Sequence, residues 1–141
     1  MKGKFQPKHP TKYKGNPTNI IFRSKWEADV FRFCDMNPDI VKWSSEEIAI
    51  PYVSPLDGRI HRYFPDIWIQ KNDRSCAIIE IKPFKQTQEP VVPVKKTRAF
   101  LNEAATYVIN LAKWKAAQEY CKDRNWKFVL MTEKEIYGGV K

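Results

Sequence analysis

The sequence predicts a three-layer α/β domain with a mixed central sheet and the element order α-β-β-β-α-β. Three observations carry that prediction. A helical apolar stripe begins near Ser24, alternating runs between Ile48 and Lys82 read as strands, and a long helical stretch after Thr97 precedes one last strand.

The first twenty residues, MKGKFQPKHPTKYKGNPTNI, mix Lys, Pro, Gly, Asn and Thr with little periodicity. They read as an extended basic arm, residues 1–20, that orders on a partner or by docking on the domain at 21–141. SKWEADVFRFCDMNP sets Trp26, Val30 and Phe33, with Phe31 and Cys34, at helical spacings, and Asn37-Pro38 supplies a stop, so a helix is expected over Ser24–Met36. In SEEIAIPYV, Ile48, Ile50 and Tyr52 alternate as in a strand, and Pro51 points to an edge or strand end. SPLDG turns the chain into a second strand, RIHRYFPDIWIQ, and KNDRS turns it into a third, CAIIEIK. An antiparallel meander is the economical topology.

KPFKQTQEPVVPVKK is a proline-punctuated connection, and loops of this length inside compact domains are often functional. Beyond it, Leu101, Ala104, Ala105, Val108 and Leu111, then Trp114, Ala117 and Cys121, recur at helical intervals and read as two helices broken near Asn110. WKFVLMT is the last strand. TEKEIYGG is a terminal turn with Thr132 and Glu135 in capping-box spacing.

Composition narrows the function classes. A chain of 141 residues with 43% hydrophobic and 13% aromatic residues has material for one core, which argues against disorder. Seven of the 25 basic residues and none of the 16 acids fall within the first 26 positions, so the charge excess is concentrated there and suits a polyanion such as nucleic acid. Cys34, Cys76 and Cys121 are widely spaced, without the pairs a disulfide framework or zinc site needs. No apolar segment follows the N-terminal lysines, and no stretch approaches the ~18 apolar residues of a membrane span, so a soluble, unexported protein is expected.

Asp66, Glu80 and Lys82 interrupt two runs that otherwise read as buried strand. Side chains alternate along a strand, so Glu80 and Lys82 share one face, and a hairpin turning about Asp73 sets Asp66 opposite Glu80. Like charges so placed repel unless a cation intervenes. Lys82 neutralises one of them, whereas a divalent metal neutralises both, and two carboxylates completed by water suit Mg²⁺. Such an ion supports phosphodiester hydrolysis, with the ammonium orienting water or stabilising developing charge. Chance supplies roughly two acid-x-Lys triplets in a chain of this composition, so the triplet alone also fits a solvated strand end. Glu27 offers the same choice: Ser24-x-x-Glu27 is a capping box, yet Glu27 shares a stripe with Phe31 and Cys34 and can face the sheet.

FRSKWEADVFRFCDMNP, VKWSSEEIAIPY, GRIHRYFPD and IIEIKP together resemble the head-completion nucleases of T-even-like tailed bacteriophages, which are similar to the TnsA-type transposon endonucleases of the PD-(D/E)xK superfamily. The resemblance spans Tyr13 to Gly139 and includes KQTQEP and KWKAAQEYC. It implies a restriction-endonuclease-like fold. It also implies a DNA endonuclease using Mg²⁺, or Mn²⁺ in its place, with Asp66, Glu80 and the Ile81 carbonyl as metal ligands, Lys82 as catalytic lysine and Glu27 as a helix-borne acid near the metal. The implied setting is phage head completion at the end of packaged linear DNA, with double-stranded DNA and phage head, portal or neck proteins as partners. The implied location is the virion or the bacterial host cytoplasm, with no membrane.

Arg23, Lys25, Arg62, Lys85 and Gln86 are candidate phosphate contacts or, equally, solvated surface. His61 reads as a surface histidine, and Trp26 and Trp43 as core. A non-catalytic DNA-binding connector protein is the alternative, but it has no use for Asp66, Glu80 and Lys82 at these spacings. An RNA-binding module lacks its signatures.

Overall fold

The computed structural model describes residues 1–138. Residues 139–141, at the end of the expected domain and its terminal turn, lie outside them. The elements run β1 (Gly3–Phe5), β2 (Ile20–Phe22), α1 (Lys25–Met36), β3 (Ile40–Ser45), β4 (Ile50–Val53), β5 (Ile60–Tyr63), β6 (Ile67–Lys71), β7 (Cys76–Ile81), α2 (Arg98–Asp123) and β8 (Lys127–Met131).

The central sheet has the order β3-β6-β7-β8, antiparallel except for the parallel β7/β8 pair, so it is mixed. Strand alternation sorts its side chains into two apolar faces. Ile67, Ile69, Ala77, Ile79 and Ile81 join Val30, Phe31 and Cys34 of α1, with Trp43, Tyr13 and Ile20. Trp68 and Ile78 join Trp114, Ala117 and Cys121 of α2 on the other side. Helix, sheet and helix therefore form three layers.

Over this sheet and its helices the order is α1-β3-β6-β7-α2-β8, but the strands are not all those expected. The expected RIHRYFPDIWIQ strand is broken at Phe64-Pro65-Asp66, because proline cannot donate to the ladder. Its first part, β5, pairs with β4 in a separate hairpin, and only its second part, β6, enters the central sheet. The expected meander is thus corrected: β3, which was not foreseen, takes the place beside β6. No alternation announces β3, because Trp43, Ser44 and Ser45 are all buried and its register shifts between Ile40 and Lys42.

The two helices expected around Asn110 are one. Thr97 caps α2 by accepting a hydrogen bond from the Phe100 N–H at 3.1 Å, and the helix continues unbroken to Asp123. Leu101, Val108 and Leu111, expected on its apolar stripe, are exposed, as is Phe33 of α1. Core contacts come instead from the C-terminal half of α2, at Trp114, Ala117 and Cys121.

The basic segment 1–20 is docked on the domain. β1 pairs with β2, while Tyr13 and Ile20 are buried in the core beside Trp43. Asp35, only 2% exposed, accepts hydrogen bonds from the Lys8 and His9 backbone N–H groups at 2.8 and 3.0 Å. Lys12 Nζ donates to the carbonyls of Asp35 and Asn37 at the C-terminal end of α1, where a cation also meets the negative end of the helix dipole. Asp35→Ala strands two backbone donors and is expected to lower stability by about 3 kcal/mol, since hydrogen bonds to charged groups contribute ~1.5–3 kcal/mol each. An unchanged urea midpoint would show that the segment is not held this way.

Candidate active site

The antiparallel register Ile67↔Ile79 continues past the end of β6 and places Asp66 beside Glu80. Asp66 N–H donates to Glu80 Oε1 at 3.3 Å, and Asp66 Oδ2 accepts from the Ile81 N–H at 2.7 Å. Each carboxylate thereby anchors the backbone that carries the other. Lys82, held at the end of β7 by its N–H bond to the Met131 carbonyl at 3.0 Å, brings Nζ to 3.8 Å from Glu80 Oε2. Glu80 is 4% exposed, whereas Lys82 keeps part of its side chain in solvent.

Glu27 caps α1 and also reaches the cleft side of the helix. The Ser24 hydroxyl accepts from the Glu27 N–H at 3.1 Å, while Glu27 Oε1 accepts from the N–H of Arg23, one residue outside the usual capping box. The same side chain lines a cleft of about 400 Å³ together with Lys25, Ile81, Lys82 and Gln86. The fold therefore gathers Glu27, Asp66, Glu80 and Lys82, with Lys25 and Gln86 on the cleft wall.

Other contacts hold several of the predicted phosphate-binding side chains, Lys25 of the cleft wall among them. Arg23 is tied to Glu46 at 2.9 Å, and Lys25 is bonded to Asp29 at 3.0 Å beside the Tyr137 ring. Arg62 stands exposed on β5 over the Phe64 ring, 5.5 Å from its centroid, and Lys85 lines a neighbouring cavity. His61 pairs with Asp57 at 2.8 Å on the exposed hairpin. Trp43 is fully buried, and Trp26 is half-buried against Tyr137.

Burial pushes the Asp66 carboxyl well above the ordinary carboxylate range, and the Glu80 and Glu27 charges add to it, against the pull of the Ile81 N–H and Lys82. Burial also raises Glu80, opposed by the nearby Tyr63, Lys82 and Lys113. Glu27 is raised by burial first and then by Glu46 and Glu80, with the Arg23 N–H acting against them. The Tyr63 hydroxyl stands near Glu80 but outside hydrogen-bonding geometry, buried and without a partner, and burial pushes its own pKa up.

Among the described residues no three acidic, histidine or cysteine side chains converge to hold a metal ion alone. The donor set that fits one is smaller. Asp66 Oδ2 and Glu80 Oε1 are committed to backbone N–H groups, which leaves Asp66 Oδ1 and Glu80 Oε2 as hard oxygen donors. Two such carboxylates, a carbonyl and several waters form the kind of set Mg²⁺ takes.

Three neighbours of the pair were not anticipated. Glu46 ends β3's run with a left-handed backbone, φ 55°, and its N–H donates to the Asp66 carbonyl at 3.2 Å. Tyr63 and Lys113 approach Glu80 from β5 and α2. Tyr63 was within reach of the sequence, three positions before Asp66. Lys113 was not, because its place depends on how α2 packs.

A family model described as the TnsA-like endonuclease N terminal matches residues 37–133. The chain is 44% identical over 135 residues to the head completion nuclease of Enterobacteria phage T4, covering 93% of this chain and 90% of that protein. No solved structure matches.

Asp66→Asn removes one charge of the pair and keeps an acceptor for the Ile81 N–H. A carboxyl whose folded pKa is raised contributes stability that is complete below its unfolded pKa and lost as pH rises through the folded one. Without divalent metal, wild type is therefore expected to lose stability relative to Asp66→Asn as pH climbs from about 4. At neutral pH the variant should lead by on the order of 1 kcal/mol, about 4 °C in Tm. Parallel pH profiles of the two proteins in thermal melts would contradict the repulsion.

Proposed function

Because the chain belongs to the TnsA-like endonuclease family, we propose that it is a metal-dependent nuclease hydrolysing phosphodiester bonds of double-stranded DNA during completion of a phage head. The observation that supports this most is the Asp66–Glu80 pair with Lys82 at its mouth. Side by side, with Glu80 buried and Asp66 partly so, the carboxylates repel each other, so the arrangement favours a cation between them. A fold selected only to bind DNA gains nothing from that repulsion.

Asp66 and Glu80, with the Ile81 carbonyl, hold Mg²⁺ in this proposal, and Mn²⁺ can replace it. When bound, the ion acidifies a water and neutralises charge on the scissile phosphate. Lys82 orients the attacking water and stabilises the charge that develops on the phosphoryl oxygens. Glu27, with its raised pKa and its place on the cleft wall, accepts a proton from that water or hydrogen-bonds it. Lys25 and Gln86 hold the backbone of the substrate along the cleft, and Arg23, Arg62 and Lys85 contribute longer-range attraction. The Pro65-Asp66 and Glu80-Ile81-Lys82 pairing supports membership of the PD-(D/E)xK superfamily and a restriction-endonuclease-like core.

The similarity to a head completion nuclease supports action at the end of packaged linear DNA, with head, portal or neck proteins as partners. Virion and host cytoplasm are the matching locations. No helix of the described residues is long and apolar enough to cross a membrane.

Purified protein with Mg²⁺ is expected to cut linear and circular double-stranded DNA, and Lys82→Ala or Asp66→Ala to lower the rate about a thousandfold without changing the circular dichroism spectrum. DNA binding by all three with cutting by none, Mn²⁺ included, would favour the connector protein. Mg²⁺ should also raise the Tm of wild type at neutral pH and not that of Asp66→Asn, since only a ligand bound by the folded state stabilises it. This gain should fade as pH falls through the raised carboxyl values, because proton and metal compete for the same oxygens.

A further inference from the structure

Next to the cleft that contains Lys82 lies a second cavity of about 320 Å³, between the 82–97 connection and α2. The two share Gln86. Its size falls at the small end of the ~300–1,000 Å³ typical of small-ligand pockets, enough for one ring system and too little for a duplex segment.

The chemistry of its lining is distinctive. Four amides, Gln86, Gln88, Asn102 and Asn110, face a space also bordered by the Tyr107 ring. Lys85 and Glu103 supply one cation and one anion, so the lining is electrically balanced. A groove for phosphates needs an excess of cations, whereas amides and an aromatic ring are what single bases bind to, by edge hydrogen bonding and stacking. Asn110, only 5% exposed, closes the inner end of the lining.

Glu103 lies three and four positions before Thr106 and Tyr107, and Asn110 lies four and three positions after them, which places all of them on one face of α2. One step further is Lys113, whose ammonium lies 5.6 Å from the centroid of the Tyr63 ring, beside Glu80. A single helix face therefore leads from the cavity to the acidic pair. The loop beside Pro90 adds a second feature: Val91, Val92 and Val94 are among the most exposed apolar side chains of the protein, at 87%, 65% and 110%. Apolar side chains presented to DNA in this way act as wedges that unstack a base step.

We propose that this cavity is a subsite for one unpaired nucleobase adjoining the scissile phosphate, with the valine tip separating that base from its stack. The proposal rests on the nuclease reading and specifies its substrate as a DNA end or junction where a base has left the helix.

The test uses full-length protein carrying Asp66→Asn, so that DNA stays intact, and a linear duplex with 2-aminopurine at its penultimate position. Unstacking of the probe on binding is expected to raise its fluorescence several-fold. Tyr107→Ala or Gln86→Ala in the same background should restore the free-duplex signal and weaken binding to an unpaired end about tenfold, the scale of one lost stacking partner. These exposed or half-exposed positions avoid the folding risk of changing Asn110. Saturated binding with no fluorescence change, or a change that both substitutions leave intact, overturns the subsite. Cutting of DNA by wild type in that case leaves the nuclease reading standing. Conversely, a fluorescence rise lost in both variants, with no cutting by wild type, supports the subsite and defeats the nuclease reading.

Discussion

Two like charges held on neighbouring strands form the constraint around which the rest of the molecule is arranged. Asp66 and Glu80 are placed side by side by the antiparallel register of β6 and β7, and each accepts a backbone N–H from the other's strand. Left to itself, such a pair would drive the strands apart or slip the register. It stays because the register is fixed elsewhere, by Ile67, Ile69, Ala77 and Ile79 packed under α1 and by Trp68 and Ile78 packed under α2. A one-residue slip would exchange those two faces and expose the larger part of both clusters. Stability spread over the two apolar layers thus maintains an arrangement that is locally unfavourable, a common division of labour at functional sites.

The elements around the pair have complementary positions. Pro65 ends the ladder on the β4–β5 side and delivers Asp66 just before β6, while Ser24 caps α1 so that its third residue, Glu27, comes to the cleft that Lys82 lines. The basic segment at the N-terminus is drawn into the fold by its own contacts. Lys12 is directed to the carbonyl end of α1, Lys14 lies over the Trp68 ring at 5.0 Å, and Asp35 collects two N–H groups. Part of the positive excess that suggested attraction to a polyanion therefore makes contacts inside the domain, as docking of the arm requires. The cations that line the cleft, Lys25 and Lys82, belong to α1 and the end of β7.

The acidic pair could be read from the sequence because strand geometry has a period of two, given a hairpin turning about Asp73, a register that a one-residue slip would have undone. The juxtaposition of Asp66 with Glu80 depends on that register, and the observed pairing of Ile67 with Ile79 supplies it. Glu27 followed with two roles open; the cap is made, and the side chain also lines the cleft. The strand β3 was not visible, because three successive buried residues show no alternation. The break at Pro65 was visible as a proline but not as a change of sheet. The continuity of α2 was obscured because its apolar residues do not all face the core: Leu101, Val108 and Leu111 are exposed while Asn110 is buried.

What the sequence determined by itself were the properties set by neighbours along the chain: helix caps at Ser24 and Thr132, the β6–β7 hairpin, and the face shared by Glu80 and Lys82. Local geometry decides these, since hydrogen bonds and side-chain direction within a few residues suffice. Only the tertiary structure decided which strand lies beside β6, that Tyr63 and Lys113 approach Glu80 from other elements, and that Gln86 stands between two cavities. Those relations join segments far apart in the chain, and they depend on which apolar faces bury each other, a choice made by the whole core at once.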